Sequence, residues 1–211
     1  MEITPRRRRI LTYILITIAI GFILLTALVS LFPPSVIDIE FSEEIQERQF
    51  PLLDFVMKAA SYPGYMPYSA IIVAGTALAF YIKKHKKEAL FVLLTAAAGL
   101  VSTIVKALVD RPRPAKELVR IVLETHQQSF PSGHVMFYVA FFGFITLLMY
   151  MLKHINKPTR WAVSVFNMGL IFTIPISRIY LGAHWFTDVL GGFLLGILYL
   201  FGLSYFYLKQ R

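Results

Sequence analysis

The chain contains no cysteine. That excludes a disulfide, a zinc–thiolate site and a thiol nucleophile, and it leaves the redox compartment open. Charge is scarce as well. Asp, Glu, Lys and Arg make up 16% of the 211 residues, against 57% hydrophobic ones, and the mean hydropathy is +0.64. A soluble domain of this length carries fewer apolar and more charged side chains, so the composition points to an integral membrane protein. There is no internal repeat and no low-complexity linker, and the chain is read as one domain, 1–211. No cluster of carboxylates suggests a metal, and nothing points to a cofactor or a protein partner.

What the chain does have is six apolar runs, roughly 10–32, 66–83, 88–109, 134–152, 162–180 and 185–208. Each approaches the ~20 residues needed to cross a hydrocarbon core about 30 Å thick. The expected fold class is all-α, an integral membrane bundle of six transmembrane helices. The first run follows Arg6, Arg7, Arg8 and Arg9 like a signal peptide. Its apolar stretch is too long for that role and no small-residue cleavage site follows, so an uncleaved span is expected.

Positive charge sets the direction of the spans. Besides Arg6 to Arg9, basic residues cluster at Lys83, Lys84, Lys86 and Lys87, at Lys153, Lys157 and Arg160, and at Lys209 and Arg211. Six spans place all of them on one side, which is then cytoplasmic and holds both termini. The acids Asp38, Glu40, Glu43, Glu44, Glu47, Asp54, Glu117 and Glu124 fall on the outer side. The net charge of +9 is thus mostly a topology signal and gives no reason to invoke nucleic acid. On the outer side, "PLLDFVMKAAS" (51–61) puts Leu52, Phe55, Val56, Ala59 and Ala60 on one helical face. A short amphipathic helix is expected there. The simpler reading is that it packs on the spans, and the other is that it lies on the membrane. Gly192 and Gly196 read as a helix-packing pair, and Pro175 is expected to kink the fifth span.

Once topology is accounted for, Lys106, Arg113, His134, Arg178, His184 and Asp188 remain, all at span ends on the outer side. Ionisable groups in spans are costly, so such residues mark function unless snorkelling explains them. Lys106, Arg113 and Arg178 are three cations near one place, and their donors suit phosphate oxygens. Ser132 and Gly133 open a helix whose first amides favour an anion. Asp188 is four residues from His184, and the two share a face if the helix already includes both. A carboxylate beside an imidazole fixes its tautomer and frees Nε2 as a nucleophile, while His134 is available to protonate a leaving oxygen. Each residue alone has a plainer explanation, as an interfacial histidine, a snorkelling anchor or a helix-supporting pair. Together those explanations require six coincidences on one side. His85 and His154 are read as solvated. Arg111, Lys116, Arg120 and His126, in the outer loop 111–131, are read as ordinary loop charges, with headgroup recognition as the second reading.

These residues resemble the signature of the type-2 phosphatidic acid phosphatase superfamily, related to bacterial acid phosphatases and vanadium haloperoxidases. K-x6-R-P matches Lys106 through Arg113 and Pro114. P-S-G-H matches Pro131, Ser132, Gly133 and His134. S-R-x5-H-x3-D matches Ser177, Arg178, His184 and Asp188. The resemblance implies a metal-independent lipid phosphatase in a bacterial plasma membrane, with its site on the extracytoplasmic side. It implies His184 as the nucleophile that becomes a phosphohistidine, Asp188 as its orienter and His134 as acid and then base. Lys106, Arg113, Arg178 and the backbone of Ser132 and Gly133 would hold the phosphate. The implied substrate is a lipid phosphate, with phosphatidylglycerophosphate as the leading candidate and undecaprenyl diphosphate as the alternative. A phosphate or lipid transporter is the rival class, and a haloperoxidase-like use of the cradle is a third reading.

Overall fold

The structure is a computed structural model and describes residues 4–32, 34–125 and 127–209. Along the chain run α1 (Pro5–Leu31), α2 (Val36–Gln46), α3 (Pro51–Ser61), α4 (Tyr68–Ile82), α5 (Lys86–Leu94), α6 (Ala97–Val109), α7 (Gly133–Met151), α8 (Lys157–Tyr180) and α9 (Phe186–Lys209). A 3₁₀ turn, Tyr62–Gly64, joins α3 to α4, and the described residues contain no β-strand. Side chains accept from the otherwise free amides at several helix starts. Thr4 caps α1, Asn156 caps α8, and Ser35 forms a capping box with Asp38 at the start of α2.

Among the described residues, five segments are long and apolar enough to cross a membrane: Pro5–Leu31, Lys86–Val109, Gly133–Met151, Lys157–Tyr180 and Phe186–Lys209. The second expected span differs. α4 alone has 15 residues, about 22 Å at the helical rise, which is short of the hydrocarbon thickness. A sixth crossing exists only if Pro51–Gly64 and Tyr68–Ile82 count as one segment bent by 57°. The third expected span is interrupted. At Thr95 and Ala96 the backbone bonds tighten to the i−3 carbonyl, and the Thr95 hydroxyl donates to Val92 O at 2.6 Å, ending α5 before α6 begins. Pro175 lies inside α8, which continues through it to Tyr180.

α7 is the central helix. Its apolar window is 72% buried, against 11–33% for the other four crossing segments, whose outer faces are left for lipid. α8 and α9 pack along it, α6 joins its start, and α1 lies outside α9. Gly192 and Gly196 serve as expected. A Cβ at Gly192 would sit 2.5 Å from Ser132 O, and one at Gly196 would sit 2.9 Å from Val139 Cβ, so bare backbone lets α9 close on the start of α7.

The helix at 51–61 forms, but its packing face is the other one. Leu53, Asp54, Met57 and Ser61 turn inward, and α3 packs on α8, where the Ser177 hydroxyl donates to Met57 O at 2.7 Å. Leu52 and Phe55 are 66% and 69% exposed. The apolar stripe faces out because the inward face carries the polar groups that hold α3 in place. α2 was not expected from the sequence at all. It lies against α8 and α9 at the same end of the bundle.

Gly192→Ala should lower the unfolding temperature of the full chain in detergent by an amount corresponding to about 1–3 kcal/mol, because a carbonyl cannot move aside as a flexible side chain can. Gly202→Ala, in the same helix with open space around it, should leave stability unchanged or raise it. Equal effects of the two substitutions would contradict this packing.

Candidate active site

The end of α6, the loop 110–131, the start of α7, the end of α8 and the turn 181–185 meet at one end of the bundle. Between them lies a cavity of about 690 Å³, lined at its polar end by Lys106, Arg113, Gly133, His134, Arg178 and His184. The structure therefore brings six of the eight expected site residues onto one surface. Ser132 and Asp188 do not line it. Both are fully buried beside it, joined by a backbone bond from Ser132 N to Asp188 O at 2.9 Å.

The cations are held by carbonyl and hydroxyl oxygens. Lys106 Nζ donates to Gln128 O at 2.5 Å and Ser129 O at 3.1 Å. Arg113 donates from Nε to Gln127 O and from Nη1 to Ala183 O at 2.5 Å, and its Nη1 lies 3.4 Å from His184 Nε2. Arg178, 1% exposed, uses Nη1 on the Ser61 hydroxyl at 3.0 Å and the Tyr65 hydroxyl at 2.5 Å, while its buried Nε has no partner among the described residues. Burial first, and then Arg178, pulls Arg113 down to about 10, so it remains a cation at neutral pH.

His184 is positioned by a turn. Gly182 adopts φ +67° and abuts the Arg120 carbonyl so closely that a Cβ would sit 2.2 Å from it, which leaves room for glycine alone. Leu181 O accepts from the amides of Val122 and Leu123, pinning this turn to the outer loop. His184 precedes α9 instead of sharing its face with Asp188. Asp188 lies in the first turn of α9 and accepts the Trp185 amide at 2.9 Å and the Ser129 hydroxyl on Oδ2. The His184 Nδ1 to Asp188 Oδ2 distance is 3.4 Å, and Nδ1 makes no hydrogen bond among the described residues. The pair is adjacent but not closed, as is common before a ligand tightens a site. Burial, then Arg113, Lys106 and Arg178, holds the His184 imidazole well below the ordinary histidine range. The ring is neutral at pH 7, with Nε2 directed to the cavity side where Arg113 stands.

Two residues read as peripheral in the sequence prove central. Asp38, expected only as one of the outer-side acids, is 0% exposed, and Arg111, expected as a loop charge, is 2% exposed. Arg111 Nη1 donates to Asp188 Oδ1 at 2.5 Å and to the Thr187 hydroxyl at 2.7 Å, and its Nη2 donates to Asp38 Oδ2 at 2.6 Å. Asp38 Oδ1 accepts the Thr187 amide at 2.9 Å, capping the first turn of α9. Farther along α2, Gln46 Nε2 donates to Arg120 O at 2.9 Å and Tyr180 O at 3.0 Å. α2 thus clamps the elements that carry His184 and Asp188. The charge pattern gave no sign of this, because a carboxylate in an acidic outer segment looks solvated. Of the remaining loop residues, Arg120 pairs with Asp54 at 2.7 Å and Lys116 with Glu124 at 2.5 Å, the latter exposed. His126 lies outside the described residues. His85 and His154 stack at 4.8 Å at the opposite, lysine-bearing end.

Tyr65 was also unexpected. Its hydroxyl accepts from Arg178, and its ring meets His134 edge-on at 4.4 Å. His134 Nε2 is buried with no partner among the described residues. Chemically, the site offers three cations and free helix amides for an anion, one neutral imidazole beside a carboxylate, and a second imidazole close by. No three His, Cys, Asp or Glu side chains among the described residues converge to hold a metal ion.

Arg111→Ala would leave two carboxylates buried without their partner and should destabilise the detergent-solubilised chain by about 3–5 kcal/mol. Lys116→Ala, which removes an exposed pair, should produce no measurable change. Parity between the two would contradict the buried network. Because burial, and then Arg113, Lys106 and Arg178, oppose a positive His184, its imidazole should stay neutral as the pH falls through 6.5. Histidine NMR with the signal assigned by His184→Gln checks this, and half-protonation at or above pH 6.5 would overturn it.

Comparison with known proteins identifies the family and the fold. The family model of the PAP2 superfamily matches residues 87–211. Phosphatidylglycerophosphatase B of Bacillus subtilis (strain 168) is 31% identical over 155 residues, covering 72% of this chain and 73% of its own. The crystal structure of a transmembrane PAP2-type phosphatidylglycerolphosphate phosphatase from Bacillus subtilis superposes with a TM-score of 0.79 at 24% identity, covering 93% of this chain and 97% of the other. That of Aquifex aeolicus LpxE gives 0.61 at 24% identity, covering 84% and 98%. A chain of membrane-crossing helices that gathers all three signature segments around one cavity, and matches the family over more than half its length, belongs to the PAP2 superfamily.

Proposed function

We propose that the chain is a membrane lipid phosphatase that hydrolyses a phosphomonoester or diphosphate at the outer leaflet, with phosphatidylglycerophosphate as its substrate. The observation that carries this reading is the cavity itself, where a neutral imidazole and three cations face one small volume. His184 Nε2 attacks phosphorus while the bond to the lipid oxygen breaks. His134 donates a proton to that oxygen, and the lipid alcohol leaves. His134 then takes a proton from water, the water oxygen attacks phosphorus, the P–N bond breaks and phosphate departs. Lys106, Arg113, Arg178 and the first amides of α7, from Gly133 after the Ser132 cap, take up charge on the phosphoryl oxygens. Asp188 orients His184 from the Nδ1 side.

The cavity supports a lipid substrate. Away from the charges it continues between α4 and α6 along Ala70, Val73, Gly99 and Leu100, an apolar surface suited to an alkyl chain entering from the bilayer. The lysine-bearing loops meet at the opposite end, where His85 and His154 stack and Tyr207 bonds Glu88. Positive charge favours the cytoplasm, so that polarity supports a site on the extracytoplasmic side of a bacterial plasma membrane with both termini inside. The identity to phosphatidylglycerophosphatase B favours phosphatidylglycerophosphate over an isoprenyl diphosphate.

Purified chain in detergent with EDTA should release phosphate from phosphatidylglycerophosphate faster than from undecaprenyl diphosphate, and His184→Ala should retain less than about a thousandth of the rate. Loss of turnover in EDTA would contradict the metal-free reading. Near-normal turnover by His184→Ala would remove it as the nucleophile. Phosphate flux into liposomes without hydrolysis would make the chain a transporter.

A further inference from the structure

Ser102 belongs to none of the three signature segments. It lies on α6 one turn before Lys106 and on the same face, lines the cavity, and is 3% exposed. Its hydroxyl has no hydrogen-bond partner among the described residues. That is not what a serine in an apolar helix usually does, since such hydroxyls return to the carbonyl four residues back. The adjacent Thr103 does so, donating to Gly99 O at 2.9 Å.

The position of the Ser102 hydroxyl is specific. A Cβ on Gly133, the first residue of α7, would lie 3.2 Å from Ser102 Oγ and 4.0 Å from Lys106 Cε. The hydroxyl therefore stands against the first residue of a 19-residue helix, next to a lysine. The first amides of that helix are uncapped. Thr4, Ser35 and Asn156 cap their helices through their side chains, but Ser132, the N-cap of α7, does not, and its buried hydroxyl is unpartnered too. A buried hydroxyl with no partner, at the first residue of a helix whose N-cap side chain leaves its amides free and beside a lysine, is a donor without an acceptor. Close packing of α6 on α7 does not explain the serine, because alanine packs as closely and carries no unsatisfied oxygen.

We propose that Ser102 is a phosphate-contacting residue, its hydroxyl donating to a phosphoryl oxygen seated on the amides of α7 beside Lys106. This rests on the reading of the cavity as a phosphoryl site, and it extends the site to a residue of α6 outside the signature.

The consequence is a pair of effects with opposite signs. In the free protein the hydroxyl is an unsatisfied buried group, so Ser102→Ala should unfold at the same temperature as the parent or higher. With inorganic phosphate as the probe, the same substitution should weaken binding about tenfold or more, as expected for a lost hydrogen bond to a charged group, and Ser102→Thr should recover part of the loss. The full-length chain in detergent, titrated with phosphate and followed by its unfolding temperature, reads both quantities without requiring turnover. Unchanged phosphate affinity in Ser102→Ala, or a lower unfolding temperature with unchanged affinity, would overturn the assignment. The absence of any phosphate effect on the parent chain would overturn both this and the phosphoryl reading of the cavity. Phosphate binding that depends on Ser102, in a chain that hydrolyses no lipid phosphate, would retain Ser102 and remove the proposed activity.

Discussion

Arg111 stands between two carboxylates that solvent does not reach, donating to Asp38 on one side and Asp188 on the other. One guanidinium thereby fastens α2, the outer loop and the first turn of α9, three elements far apart in the sequence. A buried charge is tolerated only with its partners in place, so these elements have one workable arrangement. The turn with His184 enters α9 directly, and the Ser129 hydroxyl that bonds Asp188 comes from the loop whose carbonyls hold Lys106 and Arg113. The geometry of the cavity follows from this buried network.

The network also separates two electrostatic regions. Behind the cavity wall the charges are paired: Arg111 donates to both Asp38 and Asp188, and Asp38 accepts a backbone amide of α9. Within the cavity, Lys106, Arg113 and Arg178 rest on carbonyl and hydroxyl oxygens and have no carboxylate of their own within ion-pair distance among the described residues. Positive charge next to free helix amides is what an incoming phosphoryl group requires. Burial, together with the same surplus, disfavours protonation of His184. Compensation on one side and its absence on the other belong to one design: the paired side fixes positions, and the unpaired side presents an excess of positive charge to the cavity.

The sequence showed this site only where chemistry left a mark against an apolar background. A lysine, arginine or histidine at a span end is conspicuous because lipid makes it costly, so Lys106, Arg113, His134, Arg178 and His184 could be picked out. Asp38 and Arg111 were hidden by context, since an acid among acids before a span and an arginine in a polar loop both look solvated. Tyr65 and Ser102 were hidden for the opposite reason, because neutral polar residues carry little cost and do not stand out. The apolar stripe of α3 was visible, but its direction was not, because the choice of inward face is made by Asp54 and by the bond from Ser177 to Met57, both tertiary contacts. The span lengths were legible to within a few residues, except where a bend at residues 65–67 and a break at Thr95 interrupt runs that look continuous in composition.

The central claim is that residues from the ends of three helices, the outer loop and the turn before α9 form a single anion site with an imidazole in reach of phosphorus. An experimental structure of the chain with orthovanadate, a stand-in for the transferring phosphoryl group, tests it most directly. The account predicts vanadium within bonding reach of His184 Nε2, with its oxygens on the first amides of α7 and ringed by Arg113, Arg178 and Lys106. An ion settled beyond reach of His184, or a structure in which Arg113 and His184 face separate surfaces, would contradict it.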